Sequence, residues 1–142
     1  IADIRELSGS LRKNRLDEVI ETINIGTVID QSIETLSKGY KRRVGLAQAI
    51  LHDPDILIMD EPTDGLDPNQ KHEVRNLIKK MAEKKAIIIS THILEEVDAV
   101  CSRAIIISSG KLLFDGTPEQ LISKSDQGNI DHAFRNITVP SK

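Results

Sequence analysis

Three short β-branched runs, separated by helical patterns, limit what this chain can fold into. They are Asp55-Ile-Leu-Ile-Met-Asp60, Ala86-Ile-Ile-Ile-Ser90 and Arg103-Ala-Ile-Ile-Ile-Ser108. Near-continuous apolar runs of this length read as strands buried on both faces, as in parallel sheets. Between the first two, residues 69–84 place Val74, Leu77, Ile78 and Met81 on one helical face. Between the second and third, residues 93–101 place Leu94, Val97 and Cys101 on one face. The alternation predicts an α/β fold: a parallel sheet with right-handed crossovers, flanked by helices. Ser109-Gly110 then predicts a tight turn into Lys111–Asp115 as a hairpin. Thr117-Pro118-Glu119-Gln120 is a capping box with proline at the first helical position, opening a short helix.

Composition excludes several classes. With 142 residues the chain matches one ordinary domain, able to bury about two-thirds of its unfolded surface. Cys101 is the only cysteine, so there is no disulfide framework. Apolar runs such as Ala86–Ile89 are too short to span a bilayer, so no direct membrane insertion is expected. A hydrophobic content of 39% excludes disorder, and a net charge of −3 argues against a nucleic-acid partner. Ile1 opens the chain without a signal-peptide pattern. Residues 1–52 hold no strand pattern. Leu16, Val19, Ile20 and Ile23, then Val44, Ala47, Ile50 and Leu51, recur at helical spacing, and this helical part ends near His52-Asp53-Pro54. Residues 124–142, with Pro140 near the end, are polar and loosely patterned and read as a tail or docking segment.

Four places could carry chemistry. Asp60 and Glu61 end the first strand, ahead of Pro62. Ligands of open α/β sheets bind at the carboxyl ends of strands. Neighbouring residues there point to opposite sides, so one carboxylate could hold hydrated Mg²⁺ and the other orient or deprotonate water. On its own the pair is equally consistent with a solvated acidic strand end. Ser37 is a good N-cap for a helix containing Gly39, and helix N-termini receive anions. Lys38, Lys41, Arg42 and Arg43 add positive charge there. A plain helix start on a basic surface accounts for the same residues. Asp67 with Pro68 is a sufficient N-cap for the next helix. His92 follows the second strand in Ser90-Thr91-His92, where it could hydrogen-bond a phosphate or be merely incidental. His52, His72 and His132 read as surface residues. No nucleophile elbow accompanies Ser90 and His92, so a hydrolase triad is not indicated.

Order and spacing say more than any part. Leu36-Ser-Lys-Gly-Tyr40, Ile56-Leu-Ile-Met-Asp-Glu-Pro-Thr63, Gly65-Leu-Asp-Pro68 and Ser90-Thr-His92 together closely resemble the ATP-binding-cassette (ABC) ATPases. The family's signature sequence is usually Leu-Ser-Gly-Gly-Gln; here Lys38 and Tyr40 replace its first Gly and its Gln. This variant resembles that of bacterial drug-export and gliding-type ATPases, which work with separate membrane subunits. The stretch Ile130–Thr138 is similar to that group's C-terminal tail, which implies a natural C-terminus.

The resemblance implies roles. Asp60 is the Walker B aspartate that holds Mg²⁺, Glu61 the general base, His92 the switch histidine on the γ-phosphate and Asp67 the D-loop aspartate. Ser37 and Gly39 contact the γ-phosphate of ATP held by a second ABC ATPase subunit. It also implies integral membrane permease subunits as partners and a cytoplasmic place at the inner face of the cell membrane.

One required part is missing from the chain. The phosphate-cradling Walker A loop is Gly-x-x-x-x-Gly-Lys-Ser/Thr. The sole Gly-Lys pair is Gly110-Lys111, followed by Leu112 and preceded by Ile105 where the first Gly should stand. In the family this loop lies well upstream of the signature, and only 36 residues precede Ser37. The expected organisation is a partial P-loop NTPase fold. Residues 1–52 form part of the helical subdomain with the signature helix, 53–123 the C-terminal half of the catalytic core, and 124–142 a C-terminal tail. The expected function is that of the C-terminal part of a transporter ATPase, inactive alone. A non-transport ABC ATPase of translation or DNA repair, and a non-catalytic interaction module, are the alternatives.

Overall fold

The computed structural model describes residues 1–139. Pro140, part of the expected tail, lies outside them. Two compact units divide the chain, Ile1–Ser90 and Thr91–Lys142.

The first unit opens with helix α1, Gly9–Ile23, which buries Val19 and Ile23 and ends at Asn24 in the left-handed conformation. Two 3₁₀ turns, Gly26–Val28 and Ile33–Thr35, lead to helix α2, Lys38–Ile50. Strand β1, Ile56–Asp60, pairs in parallel with β2, Ala86–Ser90, so that Ile58 faces Ile88 and Asp60 faces Ser90. Helix α3, Pro68–Ala82, joins them, burying Val74, Ile78 and Met81 at i, i+4 and i+7. The strand–helix–strand expectation is therefore met here.

Asp53 ties the entrance of β1 to its neighbours. Lys85 donates to its carboxylate at 2.5 Å and to the Pro54 carbonyl at 2.7 Å. The Lys85 hydrogen bond, aided by charge from Lys85 and Arg15, holds the Asp53 carboxyl below its ordinary pKa despite an opposing burial effect. A depressed carboxylate pKa adds stability above the unfolded value of about 3.9, and that stability disappears as pH falls through the folded value. Asp53 is more than half exposed, so screening keeps the contribution below about 1 kcal/mol. Asp53→Asn should lower the melting temperature at pH 7 by about 2–4 °C. Melting curves of the two proteins should converge once acid has protonated Asp53 in the folded state as well.

The second unit begins with helix α4, Leu94–Val100. Its strands are β3, Ala104–Ser108, and β4, Lys111–Gly116. Ser109 and Gly110 link them with φ of 50° and 73°, both positive as a type I′ hairpin requires. The expected hairpin forms: β3 pairs with β4, antiparallel, in a two-stranded sheet, while the parallel pairing among the described residues is that of β1 with β2. A two-residue turn closes the hairpin at little loop entropy.

Helix α5, Pro118–Ile122, carries the expected capping box: Gln120 N–H donates to the Thr117 hydroxyl, and Thr117 N–H to the Gln120 side chain. Helix α6, Ile130–Thr138, forms within the stretch read as loosely patterned. Asn129 caps it, accepting from His132 N–H at 2.8 Å. Ile130, Ala133, Phe134 and Ile137 recur at helical spacing and join Ala104, Ile106 and Leu121 in the core of this unit. In α4 the fully buried side chain is Glu96, 2% exposed, although the sequence points to an apolar face. His132 is not a plain surface residue either, since its Nδ1 lies 3.1 Å from the Ser125 hydroxyl.

Both sheets leave apolar faces open. Leu57 and Met59 of β1 are buried, while Ile56 and Ile58 on its other face are 62% and 74% exposed. Ile88 continues this open face on β2. In the second unit Ile105, Ile107 and Leu112 are exposed in the same way. Strands expected to be buried on both faces are thus covered on one.

Candidate functional site

The carboxyl end of β1 is the centre of the site. Asp60 closes the strand, and one of its oxygens accepts a hydrogen bond from the Ser90 hydroxyl on β2. Glu61 N–H extends the ladder by one bond, donating to the Ser90 carbonyl at 2.9 Å. The strand then breaks, because Glu61 sits at φ 44°. Left-handed backbone costs a non-glycine residue roughly 1–2 kcal/mol, so the surroundings must impose it. Pro62, which has no N–H, and buried Thr63 follow at once. Asp64 N–H turns back to the Glu61 carbonyl at 3.2 Å, and Leu66 N–H to the Thr63 carbonyl at 3.3 Å.

Ser37 caps α2 as expected, its hydroxyl accepting from Tyr40 N–H at 3.3 Å. Asp67 caps α3, accepting from the N–H groups of Asn69 at 2.9 Å and Gln70 at 3.0 Å, with Pro68 in the first turn. The turns before these two helices interlock. Buried Gly39 lies against Gln70, so a Cβ there would sit 2.6 Å from the Gln70 side-chain carbon. Gly65, at φ 66°, lies under Lys38, and a Cβ there would sit 2.6 Å from the Lys38 side chain. Each glycine makes room for a side chain of the other turn. Lys38 Nζ also stands 3.8 Å from the Asp64 carboxylate.

The basic group at the start of α2 proves to be engaged within the chain. Lys41 donates to the Glu34 carbonyl at 3.0 Å. Arg43 pairs with Glu73, donates to the Ile23 carbonyl at 3.3 Å and lies over the Tyr40 ring. Arg42 reaches the acidic turn, where its guanidinium donates to the carbonyls of Asp60, Glu61 and Pro62. A cleft of about 420 Å³ opens beside these residues, lined by Arg42, Leu46, Ile58, Met59, Asp60 and Val74 among others.

Ser37, Gly39, Asp60, Glu61 and Asp67 are thus gathered in the first unit. His92 belongs to the second. It is exposed just before α4, in a turn where Ile93 N–H donates to the Thr91 hydroxyl at 3.0 Å. Asp60 suits a hard cation, since a carboxylate at an exposed strand end, oriented by a hydroxyl, offers the oxygen ligands that Mg²⁺ prefers.

Comparison with known proteins bears on this arrangement. A family model described as "ABC transporter" matches residues 3–64. An uncharacterized ABC transporter ATP-binding protein of Bacillus subtilis, YhcH, is 43% identical over 71% of this chain and 34% of its own length. The Nod factor export ATP-binding protein I of Cupriavidus metallidurans is 35% identical over 82% of this chain and 39% of its own. Among solved structures, cbiO1 of Clostridium perfringens, part of the ABC transporter complex cbiONQ, superposes with a TM-score of 0.70. It is 31% identical, with 79% of this chain and 45% of that one covered. The chain is similar to the ATP-binding proteins of ABC transporters. It spans between about a third and a half of the length of the curated relatives it matches.

Lys38, unusual at the position it holds in the motif, has a structural explanation, since it packs across Gly65 and faces Asp64. Gln70 is a residue the sequence did not single out, and Arg42 stood out there only as one of four basic residues near the helix start. Leu46 and Ala49, at i+4 and i+7 from Arg42, place it on the cleft side of α2. That spacing is the available signal, and it says nothing of three converging carbonyls. No described helix is long and apolar enough to cross a membrane.

Proposed function

We propose that this chain is the C-terminal part of an ABC transporter ATP-binding subunit that hydrolyses MgATP as a dimer and drives export through membrane permease subunits. The observation that carries the reading is the meeting of the signature turn, Ser37–Gly39, with the acidic turn after β1 in one compact unit. Similarity to a Nod factor export protein supports the direction, and similarity to a component of the cbiONQ transporter complex supports membrane partners. The subunit works in the cytoplasm, at the inner face of the membrane.

Asp60 holds Mg²⁺, which supplies charge neutralisation on the phosphate oxygens. Glu61 orients the attacking water and takes its proton. His92 donates to the γ-phosphate. Ser37 and the N–H groups near Gly39 contact the γ-phosphate of nucleotide held by the partner subunit, and Asp67 links the two halves. Catalysis of this kind is positioning plus electrostatics.

The 142-residue chain alone does not turn over ATP. It has no Gly-x-x-x-x-Gly-Lys-Ser/Thr, so the lysine and most backbone contacts to phosphate are supplied by other sequence. The open faces around Ile58 and Ile107 support the same view, because exposed isoleucines on strands suit a sheet continued and covered by more protein. MgATP turnover should be measured for the intact subunit and for the 142-residue chain. Turnover by the first and none by the second is expected. Steady turnover by the short chain, abolished by Glu61→Gln, would overturn the reading.

A further inference from the structure

We propose that Arg42 is a positioning residue for the hydrolysis reaction. Its guanidinium holds the turn that carries Glu61, and so ties the signature helix α2 to the acidic end of β1. The inference rests on the reading of Glu61 as the general base and adds a residue to it.

The geometry is specific. Nε of Arg42 donates to the Pro62 carbonyl at 3.3 Å. Nη2 donates to the Asp60 carbonyl at 3.4 Å and also to the Glu61 carbonyl. Three successive carbonyls therefore converge on one edge of a planar cation. Carbonyls of consecutive residues on a strand point in opposite directions, so their convergence requires the chain to turn sharply. Glu61 supplies that turn with its φ of 44°. The internal bonds of the turn are few: Asp64 N–H to the Glu61 carbonyl and Leu66 N–H to the Thr63 carbonyl. Pro62 contributes no donor. The carbonyls of Asp60 and Pro62 thus have Arg42 as their partner from outside the turn.

The guanidinium matches this task and an ammonium does not. Its donors lie in a fixed plane, so one side chain can serve neighbouring acceptors at set angles. The anchor is also well placed. Arg42 lies five residues after Ser37, on the helix whose first turn packs Gly39 against Gln70 and Lys38 over Gly65. A shift of α2 would move the guanidinium and, through it, the backbone of residue 61. Displacing a catalytic carboxylate by about an ångström can cost on the order of a hundredfold in rate.

The test uses the intact subunit with Arg42→Gln, Arg42→Lys and Glu61→Gln. Arg42→Gln should lower kcat for ATP by about 10–100-fold and leave KM within about twofold, because the step lost is positioning rather than binding. Arg42→Lys, which keeps the charge but not the fork, should recover only part of the rate. Amide hydrogen exchange at Asp64 and Leu66 should speed up in both Arg42 variants while exchange along α3 stays unchanged. Wild-type kcat in Arg42→Gln, alongside an inactive Glu61→Gln, would overturn the inference and leave the reading of Glu61 standing. Full rate in Arg42→Lys, or faster exchange throughout the first unit, would also overturn it, since charge alone or general stability would then explain the residue. Should the intact subunit show no ATP turnover, the functional reading fails. Unchanged exchange at Asp64 and Leu66 then counts separately against the clamp.

Discussion

Replacing Glu61 by glutamine in the intact subunit should lower ATP turnover by about 10²–10⁴-fold, the range a positioned general base contributes. Glutamine keeps the size and one oxygen of the side chain, and the backbone hydrogen bonds of residue 61 involve its N–H and carbonyl rather than its side chain. The φ of 44° is as accessible to glutamine as to glutamate, so the turn survives. MgATP affinity should therefore stay near wild type while the chemical step stops. Asp60→Asn should behave differently, because the loss of a carboxylate ligand weakens Mg²⁺ itself and turnover should recover in part as Mg²⁺ is raised. Equilibrium nucleotide binding and single-turnover rates separate the two variants. Equal loss of binding in both would remove the division of labour between Asp60 and Glu61.

Much of this molecule can be read from its sequence, and what cannot has physical causes. The runs at residues 55–60, 86–90 and 103–108 do form β1, β2 and β3, because β-branched residues in short runs have few other stable choices. The caps at Ser37, Asp67 and Thr117 are legible because each needs only a local hydrogen bond. Partnership is harder. Nothing within Arg103–Ser108 says whether its neighbour is another parallel strand or the hairpin partner β4, since strand pairing is a long-range property. The helix at Ile130–Thr138 is hidden by the polar residues between its four apolar ones. Burial of Glu96 is invisible from a pattern that favours Leu94 and Val97. In the site, the types and order of Ser37, Gly39, Asp60, Glu61 and Asp67 suffice to suggest chemistry. The reach of Arg42 across to the Glu61 turn depends on how α2 packs on β1, which no local rule supplies.

The open face of β1 gives the second large effect, and its sign depends on how much protein is present. Ile58→Lys in the 142-residue chain should change stability by no more than about 0.5 kcal/mol, since Ile58 is 74% exposed there. The new ammonium would stand two residues from Asp60 on the same strand face, where opposite charges attract weakly. The short chain should also associate less, because a charge on an exposed apolar strand blocks pairing between sheets. In the intact subunit the same substitution should be severe. If further protein covers the face formed by Ile56, Ile58 and Ile88, the lysine enters a dry core without a partner. Removing an isolated charge from water costs several kcal/mol, comparable with the whole stability of a domain. Denaturant melts of both lengths, each with and without the substitution, should therefore diverge: nearly superimposed for the short chain and widely separated for the intact subunit. A small, equal effect in both would mean that this face stays open to water in the complete protein. The isoleucines of β1 and β2 would then need a reason other than a continued sheet.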